Sequence, residues 1–303
     1  MRLDAIHFIL TYLCNCECDH CFLSCSPSST GTFTFGGMKT MIDECQKIDT
    51  IKSLSFEGGE PFLFYPLLLE SVRMASEKGY QTSIVTNCYW ATIVDDAQSW
   101  LRPLIEAGLS MIEVSDDAFH HGKIDETPAK RVMTAARNLG LAAYFIRVVG
   151  AAAHENTPEK GAPVYTGSPK FRGRAVEKLT SGLPTRSWDC FTECPLEKLR
   201  SPSRVHLDPF GNVHLCQGLT MGNAMDTPLS DLIRNYDPDS HPVIGPLLQG
   251  GPAALVRKYA VGHEAHYVDA CHLCSVACRA LVDQFPEFLA PRQVYGLPNN
   301  SDG

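Results

Sequence analysis

Apolar positions in the first half of the chain follow two rhythms in turn. Residues 5–11, AIHFILT, form a short apolar, β-branched run that predicts a buried strand. Met38, Met41, Ile42, Cys45 and Ile48 then fall at helical spacing. SLSFEGG (53–59) predicts a second strand ending in glycines. PLLLESVRMASEKG (66–79) predicts a helix capped by Gly79. TSIVTN (82–87), MIEVS (111–115) and AAYFIRVV (142–149) predict three more strands. Helices over 92–107 and 127–139 lie between them, each followed by a glycine, Gly108 or Gly140. From the second strand on, the repeat is roughly 30 residues, the size of a βα unit. The expected class is α/β: a parallel sheet or partial barrel with helices outside. In such folds chemistry sits in the loops after the strand C-termini.

The pattern changes after residue 150. Residues 151–190 are rich in Gly, Pro, Ser and Thr and predict a long loop, a short helix near 174–180 and a linker. In RVHLDPFGNVHLC (204–216), two alternating runs flank Asp208-Pro209-Phe210-Gly211-Asn212, a β-hairpin signature. In this pattern His206 and His214 face each other across the hairpin and are expected at the surface. Short helices are expected near 228–235, 252–260 and 275–285. The change of character divides the chain into residues 1–185 and a smaller hairpin-and-helix extension, 186–303.

Composition narrows the function. The chain has 303 residues, 44% of them hydrophobic, and a formal charge of −8, with a pI near 5.7. An acidic balance argues against nucleic acid as a partner, since phosphate binding wants a basic face. No apolar run reaches the 18 or so residues of a membrane span, and the N-terminus lacks the features of an export signal. Thirteen cysteines, an odd count in a large chain, fit a cytoplasmic protein with thiols reduced or bound to metal. Five lie between positions 14 and 25 and six between 190 and 278; Cys45 and Cys88 stand apart, Cys45 on a core-facing helix. Two metal sites are expected.

The first group is Cys14-Asn15-Cys16-Glu17-Cys18-Asp19-His20-Cys21, directly after the first strand. Cys14-x3-Cys18-x2-Cys21 offers three thiolates on a loop, which suits a cubane iron–sulfur cluster with one iron left open. Zinc is the alternative, and Cys16 and Cys25 offer other triads or remain simple loop thiols. At the end of the second strand, Gly58-Gly59-Glu60-Pro61 places a glycine pair where a ligand can approach the backbone, beside a carboxylate.

With these residues together, residues 5–180 resemble the radical S-adenosylmethionine (SAM) superfamily. LTYLCNCECDHC matches its cysteine loop, and Gly58-Gly59-Glu60-Pro61 its GGEP motif, which the resemblance implies holds the SAM amino group. Thr86-Asn87, Ser115-Asp116 and Arg147, at or near later strand ends, are then expected to bind cofactor. Arg147 in the fifth strand reads equally as a salt-bridge partner, and Ser115 and Asp116 as capping residues. Gly173-Arg174-Ala175 is similar to a segment found in the branch with extra clusters. Further on, Gly211-x4-Cys216 and Cys271-x2-Cys274, with Cys194, resemble a Twitch or SPASM-like extension. That implies one auxiliary [4Fe–4S] cluster on Cys194, Cys216, Cys271 and Cys274. Cys190 and Cys278 remain alternative ligands, and a structural zinc an alternative metal.

The resemblance implies a radical SAM enzyme built on an α/β, partial (β/α)6 TIM-like barrel with a small C-terminal hairpin-and-helix extension. An electron from a flavodoxin- or ferredoxin-type reductant enters the first cluster and SAM is cleaved. The 5′-deoxyadenosyl radical then takes a hydrogen atom from a peptide, protein or small-molecule substrate. Oxidation, with the auxiliary cluster accepting electrons, is one expectation. With the first strand beginning near residue 5, no leader-binding domain of the kind common in peptide modifiers is expected ahead of it, an expectation that counts against a ribosomal-peptide substrate. Cys88, after Asn87, is expected at the mouth of the site as a hydrogen-atom donor, or else as a packed loop thiol. His120-His121 reads as a loop pair that is either solvated or near substrate. The reading from another class is a non-catalytic iron–sulfur electron carrier or a zinc-stapled interaction module.

Overall fold

The computed structural model describes residues 1–153 and 165–298. Strands and helices alternate as the pattern predicts: β1 (Ala5–Thr11), α1 (Phe35–Cys45), β2 (Ser53–Gly58), α2 (Tyr65–Glu77), β3 (Gln81–Thr86), α3 (Val94–Glu106), β4 (Met111–Ser115), α4 (Ala118–His121), α5 (Pro128–Leu139) and β5 (Ala142–Ile146). Local chemistry sets the ends. Thr34 and Thr127 cap α1 and α5 by accepting from the amides of Gly37 and Lys130. Gly79, Gly108 and Gly140 take positive φ after their helices.

β5 stops at Ile146, short of the expected 149, so Arg147 lies just past the strand. The reason is competition for the backbone: the Val148 amide donates to Asp117 Oδ2 at 3.1 Å and the Val149 amide to Ser168 Oγ at 2.8 Å. Part of the expected 151–190 loop lies outside the described residues. The rest holds two-residue strands β6 (Ala152–Ala153), β7 (Tyr165–Thr166) and β8 (Arg186–Ser187), and α6 (Arg174–Lys178).

The hairpin strands, β9 (Arg204–Leu207) and β10 (Asn212–Cys216), are followed by a third, β11 (Leu219–Asn223), which the sequence pattern did not reveal. They continue the main sheet. Its order is β11-β10-β9-β1-β2-β3-β4-β5, with β9 and β1 to β5 parallel and β10 and β11 antiparallel. Among the described residues the sheet does not close. Because β9 lies against β1, His206 is buried and His214 is fully buried. The expectation that both lie at the surface is thereby corrected: a hairpin read alone has an exposed face, but this one is a sheet interior.

Ile6, Phe8, Leu10, Leu54, Phe56, Ile84 and Ile112 point toward the helices and form the main core, with Phe8 stacked on Phe56 at 5.7 Å. Each such fully buried side chain contributes roughly 1.5–3 kcal/mol. Alternation sends His7, Ile9, Ser55, Glu57 and Glu113 to the opposite, inner face. The chain ends in α7 (Leu229–Arg234), α8 (Ile244–Tyr259), β12 (His266–Tyr267), paired with β8, and α9 (Ala270–Leu281). No described helix is long and apolar enough to cross a membrane.

Candidate active site and two cysteine clusters

The cysteine loop leaves the end of β1 and is held against the end of β2. The Gly59 amide donates to Thr11 O at 2.7 Å and the Glu60 amide to Leu13 O at 2.9 Å. A Cβ on Gly59 would lie 2.1 Å from Leu13 O, and one on Gly58, where φ is +132°, 2.4 Å from Thr11 O. Only glycine permits that approach. The pair therefore docks the loop, a role that precedes any ligand.

Glu60 is fully buried. Its carboxylate accepts from the Phe62 amide (3.1 Å), Thr86 Oγ1 (2.8 Å) and the Asn87 amide (2.7 Å), so it ties the end of β2 to the end of β3. Burial lifts its pKa to about 7 against these donors. The Asn87 side chain turns back over the loop, donating to Asn15 Oδ1 at 2.8 Å, 3.5 Å from Cys16 Sγ and 3.8 Å from Cys14 Sγ. Cys88 is fully buried, with φ +65° and Sγ 3.7 Å from Thr86 O. It is therefore not at the mouth of the site, and burial raises its thiol pKa.

At the end of β4, Ser115 is buried. Asp116 accepts from Thr127 Oγ1 (2.6 Å) and from Arg147 Nη2 (2.6 Å) and Nε (3.1 Å). Burial raises the Asp116 pKa, but these donors outweigh it and hold it low. Arg147 is half exposed and lies over the Phe145 ring at 4.3 Å. Asp117 caps α4, and its Oδ1 bonds to His120 Nδ1 at 2.9 Å, while His121 Nε2 meets Ser115 O at 2.8 Å. The histidine pair is thus structured and half-buried, and His120 stacks edge-on to His20 of the cysteine loop.

The five N-terminal thiols fall into two groups. Cys16 shares hydrogen bonds with Cys14 and Cys18, and Cys21 with Cys25. The Cys25 thiol lowers the pKa of Cys21 and has its own raised, so their shared proton rests on Cys25. Arg174, the first residue of α6, grips the loop from outside. Its Nη1 donates to Cys18 O at 2.7 Å, its Nη2 to Cys25 O at 2.8 Å and Ser24 O at 3.1 Å, and its amide to Cys21 O at 3.0 Å. Gly173 before it has φ +54°, and a Cβ there would lie 2.6 Å from Cys21 O.

The second group converges. Cys194, Cys216, Cys271, Cys274 and Cys278 line one cavity of about 50 Å³. Cys271, Cys274 and Cys278 are spaced by three and four on α9 and so share one helical face. Cys190 is exposed and does not line the cavity. The buried Arg172 also faces it, donating from Nη1 to Cys216 Sγ (2.7 Å) and Gln217 Oε1 (2.8 Å) and from Nη2 to Glu197 Oε1 (3.3 Å). Burial lowers the Arg172 pKa, but the two thiols and Glu197 more than offset it and keep the guanidinium charged. Neither arginine was singled out from sequence as a cluster contact. The available signal was Arg172-Gly173-Arg174 between the two cysteine groups, a pair of cations flanking a glycine in an otherwise polar loop.

In the comparison with known proteins, residues 5–118 match the family model described as a 4Fe-4S single cluster domain. The chain is 27% identical over 124 residues to the putative peptide biosynthesis protein YydG of Bacillus subtilis strain 168, covering 41% of this chain and 39% of YydG. It thus spans about two fifths of that relative. Among solved structures, BtrN in complex with AdoMet and 2-DOIA aligns over 78% of this chain and 83% of its own, with a TM-score of 0.49 and 17% identity. AnSMEcpe with bound AdoMet and Cp18Cys peptide aligns over 94% and 98%, with a TM-score of 0.47 and 14% identity. The match places an iron–sulfur domain on the parallel strands at the N-terminal part of the mixed sheet. With its cysteine loop docked on a Gly-Gly-Glu-Pro turn, this segment is similar to iron–sulfur domains, and the cofactors the match supports are a [4Fe–4S] cluster and SAM.

The donor chemistry fits those groups. Soft thiols supply the N-terminal loop, and five thiols surround the second cavity, where hard oxygen or nitrogen donors would suit another ion.

Proposed function

We propose that the chain is a radical SAM enzyme that removes a hydrogen atom from a peptide substrate, fed by a flavodoxin- or ferredoxin-type reductant. The single observation that carries this reading is the docking of the Cys14–Cys21 loop on the Gly58-Gly59-Glu60 turn at neighbouring strand ends. When bound, the cluster and SAM would supply one-electron reductive cleavage of the sulfonium and, through it, the power to take a hydrogen atom from an unactivated C–H bond.

The chain's own residues then have separate tasks. Cys14, Cys18 and Cys21 would hold the cluster, and Cys25 keeps the proton it shares with Cys21 as that thiol ionises. The backbone at Gly58 and Gly59 would take the amino group of SAM, and Glu60 fixes that turn through its bonds to Phe62, Thr86 and Asn87. Asn87 donates toward the sulfurs. Ser115 and Asp116 would meet the ribose or carboxylate of SAM, with Arg147 holding Asp116 in place. We assign Cys88 to packing, because a hydrogen-atom donor needs access to substrate. Cys194, Cys216, Cys271 and Cys274 would hold an auxiliary [4Fe–4S] cluster, with Cys278 a fifth thiol at the same cavity. A peptide substrate is supported by the similarity to a peptide biosynthesis protein.

The test is anaerobic reduction with dithionite in the presence of SAM, with 5′-deoxyadenosine as readout. Product is expected from the wild type and not from Cys14→Ala, Cys18→Ala or Cys21→Ala. Undiminished product in those variants would remove the triad assignment. About eight irons per chain are expected from two cubanes; zinc with little sulfide would favour an interaction module instead.

A further inference from the structure

We propose that His7, Glu57 and His206, on the inner face of the sheet, form a binding site for one divalent transition-metal ion, separate from both cysteine clusters.

The sheet register builds the site. Ser83, Ser55, His7, His206 and His214 are successive cross-strand partners on β3, β2, β1, β9 and β10, so they form one row across the sheet. Glu57, one pleat further along β2, reaches back over this row. Its Oε2 lies 3.3 Å from His7 Nδ1 and its Oε1 3.0 Å from His206 Nε2. One ligand atom from each residue falls within 4.8 Å of the other two. An ion bound at about 2.0–2.2 Å holds adjacent ligand atoms roughly 3.0–3.4 Å apart; the two imidazole–carboxylate distances fall in that range, each to a different oxygen of Glu57, and the full three-atom set spans no more than 4.8 Å. Two imidazoles and one carboxylate are the facial set that leaves further coordination positions open.

Two further observations point to an occupant. Ser55 Oγ and His206 Nδ1, on either side of His7, are buried without a hydrogen-bond partner. Orphaned polar atoms in a native interior usually mark a water or an ion. A metal on His206 Nε2 would fix Nδ1 as the N–H donor to such a water. The charge is also unbalanced. Among the described residues neither Glu57 nor Glu113 forms an ion pair with a lysine or arginine; His7 and His206 face Glu57, and burial and the nearby Glu57 charge raise the Glu113 pKa. The site is open on one side, with the His206 side chain 9% exposed and that of His7 24%. An ammonium ion would be served by Glu57 alone and would compete with both imidazoles for the same oxygens. Nitrogen and oxygen donors without sulfur select Zn²⁺, Fe²⁺ or Mn²⁺ over an iron–sulfur cluster.

The test uses full-length protein with its clusters loaded, under anaerobic conditions, and Mn²⁺ as probe because it avoids thiols. The loss of the free Mn²⁺ electron paramagnetic resonance signal counts bound ions, and pulsed measurements detect histidine nitrogen. One ion per chain with imidazole coupling is expected. Glu57→Gln and His206→Gln should each weaken binding at least tenfold, and His263→Gln, at an exposed site elsewhere, should not. His7→Asn, at the open side, is the variant to use if the buried substitutions fail to fold. No Mn²⁺ bound at millimolar concentration, bound Mn²⁺ without nitrogen coupling, or binding unchanged in His7→Asn and Glu57→Gln would each overturn the proposal.

Discussion

Arg174→Ala is the most informative perturbation of the N-terminal loop. The side chain is only 10% exposed and forks onto three carbonyl oxygens, those of Cys18, Ser24 and Cys25. Hydrogen bonds from a charged donor contribute about 1.5–3 kcal/mol each. The loop is partly solvated, so water will replace part of what is lost, and a net loss of about 3 kcal/mol is expected there. At 1.4 kcal/mol per factor of ten, the closed loop becomes roughly 100-fold less favoured. The nearby Glu17 carboxylate, 3.7 Å away and 65% exposed, adds little. The main core contains neither Arg174 nor the residues it grips, so global unfolding should change much less. The assay is amide hydrogen exchange on cluster-free protein. The amides to follow are those of Cys14, Cys21 and Ser24, which bond to Ser26 O, Cys18 O and Cys21 O. Their protection should fall by about two orders of magnitude, and iron loading at this site should fall with it. Arg174→Lys should recover only part, since one ammonium does not reproduce a planar fork. Protection within twofold of wild type in Arg174→Ala would refute the claim that this arginine closes the loop.

Other expectations follow from the same geometry. Arg172→Gln removes the guanidinium beside Cys216 and leaves Glu197 with only Arg204, 3.8 Å away. It should cost about 3 kcal/mol, near the low end for a broken buried pair, and lower the melting temperature by several degrees. An auxiliary cluster in that variant should also titrate at a more negative potential, because a nearby positive charge favours the reduced form. Gly59→Ala puts a methyl against Leu13 O, so iron at the N-terminal loop should be lost while the second cluster remains, as read by iron content and electron paramagnetic resonance. Cys190→Ser should keep all of the iron, and Cys216→Ser should lose about four irons per chain; the reverse result would move the second site. Tyr12→Phe removes the buried bond from Tyr12 to Asp208 Oδ2 (3.0 Å) and should cost about 1–2 kcal/mol in chemical denaturation.

The parts of this protein that sequence alone determined are those governed by local rules. The βα alternation is written in apolar spacing, because a strand repeats every two residues and a helix every 3.6. β1 and β4 run over the residues that the pattern marks, and most helix ends differ by one to three positions. The cysteine loop and the glycine pair were legible because metal chemistry and backbone approach each demand particular residue types at fixed spacing. The α9 stripe was half legible: Cys271-x2-Cys274 stood out, but the place of Cys278 depends on the segment being a helix.

Contacts between residues distant in the chain were decided by tertiary structure. Nothing in RVHLDPFGNVHLC shows that β9 will lie beside β1, some 200 positions away, and that pairing buries His206 and His214 and brings Glu57 between two imidazoles. Arg174 grips a loop about 150 residues earlier, and Arg172 meets Cys216 from another segment. Cys88 looked reactive from its place after a strand end, yet packing closes over it. Periodicity reports which face of an element is apolar, whereas partners depend on how whole elements dock. That choice is made by burial summed over the sheet, and no short stretch of chain encodes it.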